Sequence, residues 1–400
     1  MEKPRLRRIE IEPLVFENRQ FFRFSDPGGL ADELLLSPAA AQIAVEFFNG
    51  AHTVEDIQAA IMKATGSLVP SALLKDLAAK LDEAGLLDSE RHAARLAQAR
   101  RDYADAPARP ALLAGRGYPA QKEELTAFLG AIFAGAREEG ARAVPGTRAL
   151  LAPHIDFARG GTAYGFAYES LRGGPRPEVV VILGTGHHVS ETPLIITDKD
   201  FDTPLGAVAT DRGLVARLCA ACGPELIAGQ YEHTTEHSIE FQAVCLKHLF
   251  GDDFRIVPVL CGAFPPALDG APLPSEVPAI ARFIAELAVI VGELGPRCLV
   301  VGGVDFAHVG PRFGAEEPVD AAECALVEAA DRMLLEPVEA GDADGFYERL
   351  RSIENRHNVC GYAAVYTLLK ALPGLSGRVL RYEQAFDPMQ TVTFAAVAFA

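Results

Sequence analysis

The chain has 400 residues, 49% of them apolar and 23% charged, with a net charge of -17 at neutral pH. The composition is that of an ordinary soluble globular protein, the length predicts two domains, and the acidic balance argues against nucleic acid or another polyanion as partner. No apolar stretch approaches the roughly 20 residues needed to cross a bilayer, so no membrane partner is expected.

The basic start, Met1-Glu2-Lys3-Pro4-Arg5-Leu6-Arg7-Arg8, has no apolar segment behind it and does not read as a secretory signal. Seven cysteines, an odd number and all in the second half, fit reduced thiols in a cytoplasmic protein better than a disulfide framework.

Residues 1–100 read as a small separate domain. Ile9, Ile11 and Leu14 open it, and Gln20-Phe21-Phe22-Arg23-Phe24 predicts a strand before the turn Ser25-Asp26-Pro27-Gly28-Gly29. Three helices follow. Ser37-Pro38 supplies the N-cap and first-turn proline of one, and Gly50 stops it. Thr53 caps the second, which ends near Gly66. Ser71 caps the third, which runs through Leu73, Leu74, Leu77 and Leu81 to Gly85. Leu86-Leu87 predicts the start of a wing strand. Strand pair, three helices and wing together predict a winged-helix domain. Its third helix carries Lys75, Asp76, Lys80, Asp82 and Glu83, which is no basic stripe, so a protein or peptide ligand is expected in preference to DNA. The Ala- and Arg-rich stretch 91–101 and the prolines at 107 and 110 predict a linker, placed at 101–108.

From 109 to 400 strand and helix patterns alternate. Helices are predicted over 122–133, 279–291 and 321–334, a strand over 254–260, and a closing hairpin over 379–386 and 391–399. Such alternation predicts an α/β domain with a mostly parallel sheet flanked by helices. Three apolar runs stand out because each ends in histidine beyond a small-residue turn: Ala149 to His154, Val179 to His187-His188, and Leu299 to His308. Short apolar runs rich in β-branched residues read as buried parallel strands. In an open α/β sheet the chemistry sits beyond the carboxyl ends of the strands. Three imidazoles delivered there predict a shared metal or acid/base site.

Other motifs carry less. Gly184-Thr185-Gly186 lacks the third glycine of a dinucleotide loop, position 189 being Val, and that reading is rejected. His233-Thr234-Thr235-Glu236-His237 matches a zinc-peptidase spacing. Thr234 or Thr235 is also a suitable N-cap for a helix over 236–250, which would put His233 outside the helix and make the spacing accidental. His237 and Glu240, three apart, then share a face, either in the pocket or as a solvent-facing pair. Cys219 and Cys222 have CxxC spacing inside an apolar helical pattern and read as small buried residues. Asp305 is placed to orient or charge-stabilise His308. Cys360, ahead of Gly361 and an apolar helix over 362–369, is either a thiolate favoured by the helix terminus or one more buried small residue.

Taken in order, Ala152-Pro153-His154, Leu183-Gly184-Thr185-Gly186-His187-His188, Thr203-Pro204-Leu205-Gly206, Glu236-His237-Ser238-Ile239-Glu240, Asp305-Phe306-Ala307-His308 and Val359-Cys360-Gly361 resemble the MEMO family over 109–400. Bacterial members of that family are described as protein B of the AmmeMemoRadiSam system. The resemblance implies a fold like that of class III extradiol dioxygenases of the LigB type. It implies His154, His187 and Cys360 as metal ligands, with Fe2+ as the expected cofactor and copper or zinc as alternatives. It implies Asp305 and His308 beside the metal, His308 as acid/base, His237 as a further pocket histidine and His188 as a neighbour. The first hundred residues are similar to PqqD-like winged helices, which bind peptides for radical-SAM partners; with the AmmeMemoRadiSam resemblance this implies radical-SAM and AMMECR-type proteins as partners, the substrate, a small molecule or peptide, staying unknown. Ile155-Asp156-Phe157 departs from the family's usual Ala-Gly-Tyr, and Asp156 is expected to add a carboxylate to the pocket. The resulting expectation is a non-haem iron oxidoreductase; a scaffold that kept the fold and a zinc-dependent hydrolase are the alternatives.

Overall fold

The computed structural model describes residues 2–26, 28–187, 189, 192–262 and 264–400. It divides into two compact units, Met1–Ala106 and Pro107–Ala400.

The first unit begins with a hairpin, β1 (Glu10–Phe16) and β2 (Arg19–Ser25), to which β3 (Leu34–Leu36) adds an antiparallel third strand. Helices α1 (Pro38–Phe47), α2 (Val54–Thr65), α3 (Ser71–Ala84) and α4 (Glu90–Asp105) follow. The caps explain most of the boundaries. The Ser37 hydroxyl accepts from the Ala40 amide, and Thr53 forms a reciprocal capping box with Asp56. Gly66 and Gly85 close α2 and α3 in the left-handed conformation that glycine adopts without steric cost. Ser71 is the first residue inside α3 and not its cap; Pro70 stands at that position.

Two expectations for this unit are corrected. Leu86 and Leu87 form no wing strand. Both are fully buried, and Leu87 makes only a single bridge to Leu6. The Ala- and Arg-rich stretch is helix: Ser89 caps α4, and the Arg95 guanidinium donates to the carbonyls of Leu30, Glu83 and Ala84. Alanine and arginine are strong helix formers, and the side chain finds acceptors in its own unit. Residues 101–105 are therefore the last turn of a helix.

The second unit contains β4 (Ala108–Arg109), α5 (Lys122–Glu138), β5 (Ala149–Ala152), α6 (Phe157–Glu169), β6 (Val179–Thr185), β7 (Leu194–Ile196) and β8 (Asp200–Phe201). Next come α7 (Arg212–Cys222), α8 (Glu225–Ala228), α9 (Ser238–Phe250), β9 (Arg255–Cys261), α10 (Pro278–Leu294) and β10 (Cys298–Gly303). β11 (His308–Val309), α11 (Ala321–Glu339), α12 (Ala343–Ser352), α13 (Tyr362–Ala371), β12 (Gly377–Ala385) and β13 (Thr391–Phe399) complete it.

The main sheet runs β11-β13-β5-β10-β6-β9-β7, with β12 paired to β13. Its centre, β5-β10-β6-β9, is parallel, as the apolar runs predict; β13 and β7 join antiparallel on either side. Alternate residues of the central strands feed two cores. Val179, Val181 and Leu183 pack with α7, α10, α12 and α13, whereas Val180 and Ile182 pack with α5, α6 and α9. Burial on both faces is what near-continuous apolar strands require. The C-terminal hairpin docks through β13 onto β5, as far along as Val397 opposite Leu151.

Candidate metal centre

The strands β5, β10 and β6 are neighbours whose ends are level: Gly303 pairs with Ala152 on one side and with Gly184 on the other. His154 and His187 follow two of these ends directly, and His308 follows the third after the Val304–Ala307 turn. The rings of His154 and His187 stand 5.0 Å apart, nearly perpendicular. His237, at the N-terminus of α9, stacks on His187 at 5.3 Å and lies 5.5 Å from His154. The structure thus brings together all six residues singled out from the sequence: His154, His187, His237, Asp305, His308 and Cys360. His188 lies outside the described residues.

Cys360 comes from a different part of the chain, just before α13. Gly361 makes that approach feasible, because a Cβ there would stand 2.6 Å from the Val304 Cβ and 2.9 Å from the Asp305 carbonyl oxygen. The Cys360 sulfur lies 3.6 Å from His154 Nε2. Ligand atoms of His154, His187 and Cys360 all fall within 4.8 Å of one another, as do those of His187, Glu236 and His237.

Hydrogen bonds at the far nitrogens orient the rings. His154 Nδ1 donates to the Gly303 carbonyl at 3.1 Å, His187 Nδ1 to Glu236 Oε2 at 2.9 Å, and His308 Nδ1 to the Phe306 carbonyl at 3.1 Å. Each leaves Nε2 for the space around Cys360. Burial pushes the Cys360 thiol up, but His308 and His154 beside it outweigh that and hold it well below its ordinary value. These imidazoles favour its thiolate form, and the terminus of α13 adds a favourable dipole. The reciprocal effect raises His308 to about 9 against its own burial, Cys360 being the main cause and Asp305 a lesser one. His237 goes the other way, to about 4, because burial and the neighbouring His154 and His187 outweigh Glu236. His237 is therefore neutral at neutral pH.

Several expectations change at this point. Asp305 bonds to His154 and not to His308: Oδ1 accepts from the His154 amide at 3.0 Å, and Oδ2 stands 3.6 Å from Nε2. Only its charge reaches His308. Asp156 stays out of the pocket; it caps α6 by accepting from the Arg159 amide and pairs with the Arg159 guanidinium. The threonines do not cap α9. Glu236 does so, its Oε1 accepting from the amides of His237 and Ser238. His233 lies in a separate turn, its Nε2 bonded to the Ile195 carbonyl, so the peptidase spacing is accidental. Cys219 and Cys222 are free thiols on α7.

His237 and Glu240 do not act as a pair either. Glu240 turns into the protein, where Arg109, Tyr118 and the amides of Leu112 and Leu113 all donate to it. Arg109, wholly buried, also donates to the carbonyls of His233 and Glu236, at 2.8 and 2.7 Å. It thereby fixes the backbone that carries Glu236 and His237 to the centre. Reading the sequence missed the roles of Glu236 and Arg109 and paired Glu240 with His237 in place of Arg109. The available signal was a glutamate between Ile239 and Phe241, a position that buries a charge and so demands a buried cation.

The Memo-like protein family model matches residues 109–400. The chain belongs to the Memo-like family. A MEMO1 family protein of Aquifex aeolicus is 27% identical over 384 residues, covering 95% of each chain, so that likeness spans both units. A MEMO1 family protein of Thermus thermophilus is 32% identical over 330 residues, covering 82% of this chain and 93% of that one. Among solved structures, an uncharacterized protein of Escherichia coli K12 aligns with a TM-score of 0.37 and 16% identity, covering 64% of this chain and all of that one. Among the described residues, no helix of this Memo-like chain is long and apolar enough to cross a membrane.

Proposed function

We propose that the second unit holds one redox-active metal ion, Fe2+, between His154, His187 and Cys360, and that the chain is an oxidoreductase of the extradiol-dioxygenase kind acting on a small molecule or peptide. The observation that carries this reading is the 3.6 Å between His154 Nε2 and the Cys360 sulfur. A tetrahedral ion with bonds of about 2.1 Å to nitrogen and about 2.3 Å to sulfur separates those atoms by about 3.6 Å. Two imidazoles and one anionic ligand also leave coordination positions open. When bound, the metal supplies those positions and an electron-transfer centre for substrate.

The protein's own residues do the rest. Glu236 and the Gly303 carbonyl set the tautomers of His187 and His154. Asp305 anchors the His154 backbone. His308 holds a proton on Nε2 beside Cys360 and can pass it to a substrate oxygen placed there. His237, neutral and about one-third exposed, faces the same space and can orient the substrate.

Anaerobic purification followed by metal analysis tests the reading. About one equivalent of iron is expected in the wild type and little in Cys360→Ala or His154→Ala; equal metal in all three sinks it. A thiolate ligand also suits zinc, which favours hydrolysis as a second reading. Metal identity, with oxygen uptake on catechol-type compounds, separates the two and also a non-catalytic scaffold.

We read the first unit as a PqqD-like winged helix that recruits a radical-SAM or AMMECR-type protein. Exposed Leu14, Val15 and Phe16 on β1 support a protein ligand. Loss of such a co-purifying partner in Val15→Glu/Phe16→Glu is the expected result.

A further inference from the structure

The segment that delivers Cys360 is strained. Between the end of α12 and Cys360, three residues other than glycine take the left-handed conformation: Glu354 at φ 52°, Asn355 at 44° and Asn358 at 51°. Such residues are uncommon and persist where their surroundings hold them. Here the holding contacts can be named. Asn355 serves both backbone groups of the buried Val359: its Oδ1 accepts from the Val359 amide at 2.8 Å, and its Nδ2 donates to the Val359 carbonyl at 3.4 Å. The Asn355 carbonyl also accepts from the Asn358 amide at 2.9 Å. The segment is then fastened to β11. The His308 amide donates to the His357 carbonyl at 2.7 Å, and Asn358 Nδ2 donates to the His308 carbonyl at 3.2 Å.

The other side of this junction is fixed. Thr393 of β13 grips the turn before His308 three times. Its carbonyl accepts from the Phe306 amide at 2.7 Å, its hydroxyl accepts from the Ala307 amide at 2.8 Å, and its own amide donates to the Ala307 carbonyl at 2.9 Å. The Thr393 hydroxyl donates in turn to Asp331, which is fully buried. His308 is thus tied to the sheet, and the segment carrying Cys360 is tied to His308. Asparagine meets two needs at 355 and 358. It enters the left-handed region more readily than most side chains, and it carries a donor and an acceptor. Glycine would meet the first need and not the second.

We infer that Asn355 and Asn358 are positioning residues, which set where the Cys360 sulfur meets His154 and His308. This rests on the reading of Cys360 as a metal ligand. Both act through the backbone leading into Cys360: Asn355 by giving Val359 the partners its buried backbone needs, Asn358 by holding the segment to His308.

The test titrates the full-length metal-free protein with cobalt(II) in the absence of air, read by the thiolate-to-cobalt absorption. The ring signals of His154 and His308 are recorded before cobalt is added. Asn355→Gly/Asn358→Gly keeps the left-handed backbone and removes the side-chain bonds. It is expected to weaken cobalt binding about tenfold and to move both ring signals. Asn355→Asp keeps an acceptor for the Val359 amide and tolerates the same backbone, so binding within about threefold of the wild type is expected. Glu354→Gly relieves strain at an exposed residue without touching these bonds and is expected to bind as the wild type does. Thermal melts show which variants are folded; if the double variant is not, Asn355→Gly and Asn358→Gly carry the test singly, each with a loss of about threefold. Wild-type affinity and ring signals in the glycine variants overturn the inference. So does a loss in Asn355→Asp or Glu354→Gly as large as that in the double variant. A wild type that binds cobalt without the thiolate absorption fails the proposed centre, whereas the ring signals of the metal-free protein test the positioning by themselves.

Discussion

Glu240 and Glu236 stand four residues apart, both buried, in different company. Around Glu240 the account closes: Arg109, Tyr118 and two backbone amides satisfy its oxygens, and Arg109 places three further donors on the carbonyls of Pro110, His233 and Glu236. Around Cys360 it stays open, because three imidazoles turn nitrogens toward one sulfur and ligand atoms crowd a common point. A buried polar cluster whose charges are paired and whose acceptors are met holds backbone in place. One whose donors converge on shared space has the chemistry of a receptor for an ion. Glu236 links the two, since Arg109 grips its carbonyl and its carboxylate grips His187.

Breaking the closed cluster carries the largest expected effect. Arg109→Met leaves Glu240 buried without its cation and is expected to cost about 3–5 kcal/mol in urea unfolding, with Arg109→Met/Glu240→Leu recovering much of it. A cost below about 1 kcal/mol removes the distinction between the clusters.

Asp331 offers a second contrast, a buried carboxyl that is only partly satisfied. Tyr382 and Thr393 donate to Oδ2, and Oδ1 has no partner among the described residues. Burial raises its pKa to about 6 in spite of those hydroxyls. The folded protein therefore holds this proton more tightly than the unfolded chain. The stability it contributes is fully present below pH ~4 and is lost as pH rises to ~6, about 3 kcal/mol in all. Unfolding free energies of wild type and Asp331→Asn between pH 4 and 7 are expected to differ by that slope; parallel profiles count against it.

Glu236→Gln sharpens the open side. It retains an acceptor for the amides and loses the charge behind His187, so metal affinity is expected to fall about 10–100-fold in a competition titration. An unchanged affinity argues that Glu236 serves only α9. The smallest effect belongs to Asp156→Ala, expected to cost about 1 kcal/mol as a lost helix cap with metal content unchanged. Loss of metal returns Asp156 to the pocket.

The legible parts of this fold were local or periodic. The Thr53 cap, the glycines after α2 and α3, and the buried runs that became β5, β6 and β10 could be read because each signal lies within a few residues. Convergence of the strand-end histidines could be read from the general geometry of parallel sheets. The pairing of Arg109 with Glu240 could not, as 131 positions separate them. Nor could the choice between partners of similar chemistry. Asp305 had two histidines in reach and bonded to the one 151 positions away, and α9 was capped by a glutamate although two threonines stood nearby. Composition misled at 91–101, where alanine and arginine suggested a tether and formed a helix.

Gly184 and Gly303 sit opposite one another on neighbouring strands. A Cβ on the first would stand 2.5 Å from the Ser238 hydroxyl, and one on the second 2.5 Å from the Ser238 carbonyl oxygen. Together they form a notch in the sheet edge into which the first turn of α9 settles. A larger residue at Gly303 meets the backbone of α9 itself and one at Gly184 the side chains of Ser238 and Ile239, so both press on the turn that carries His237 and Glu236. The two positions are therefore closed to sequence drift for reasons of space alone, whichever ion or substrate a descendant adopts. Ligands can be exchanged one at a time as a lineage changes its chemistry, whereas this notch must be inherited whole.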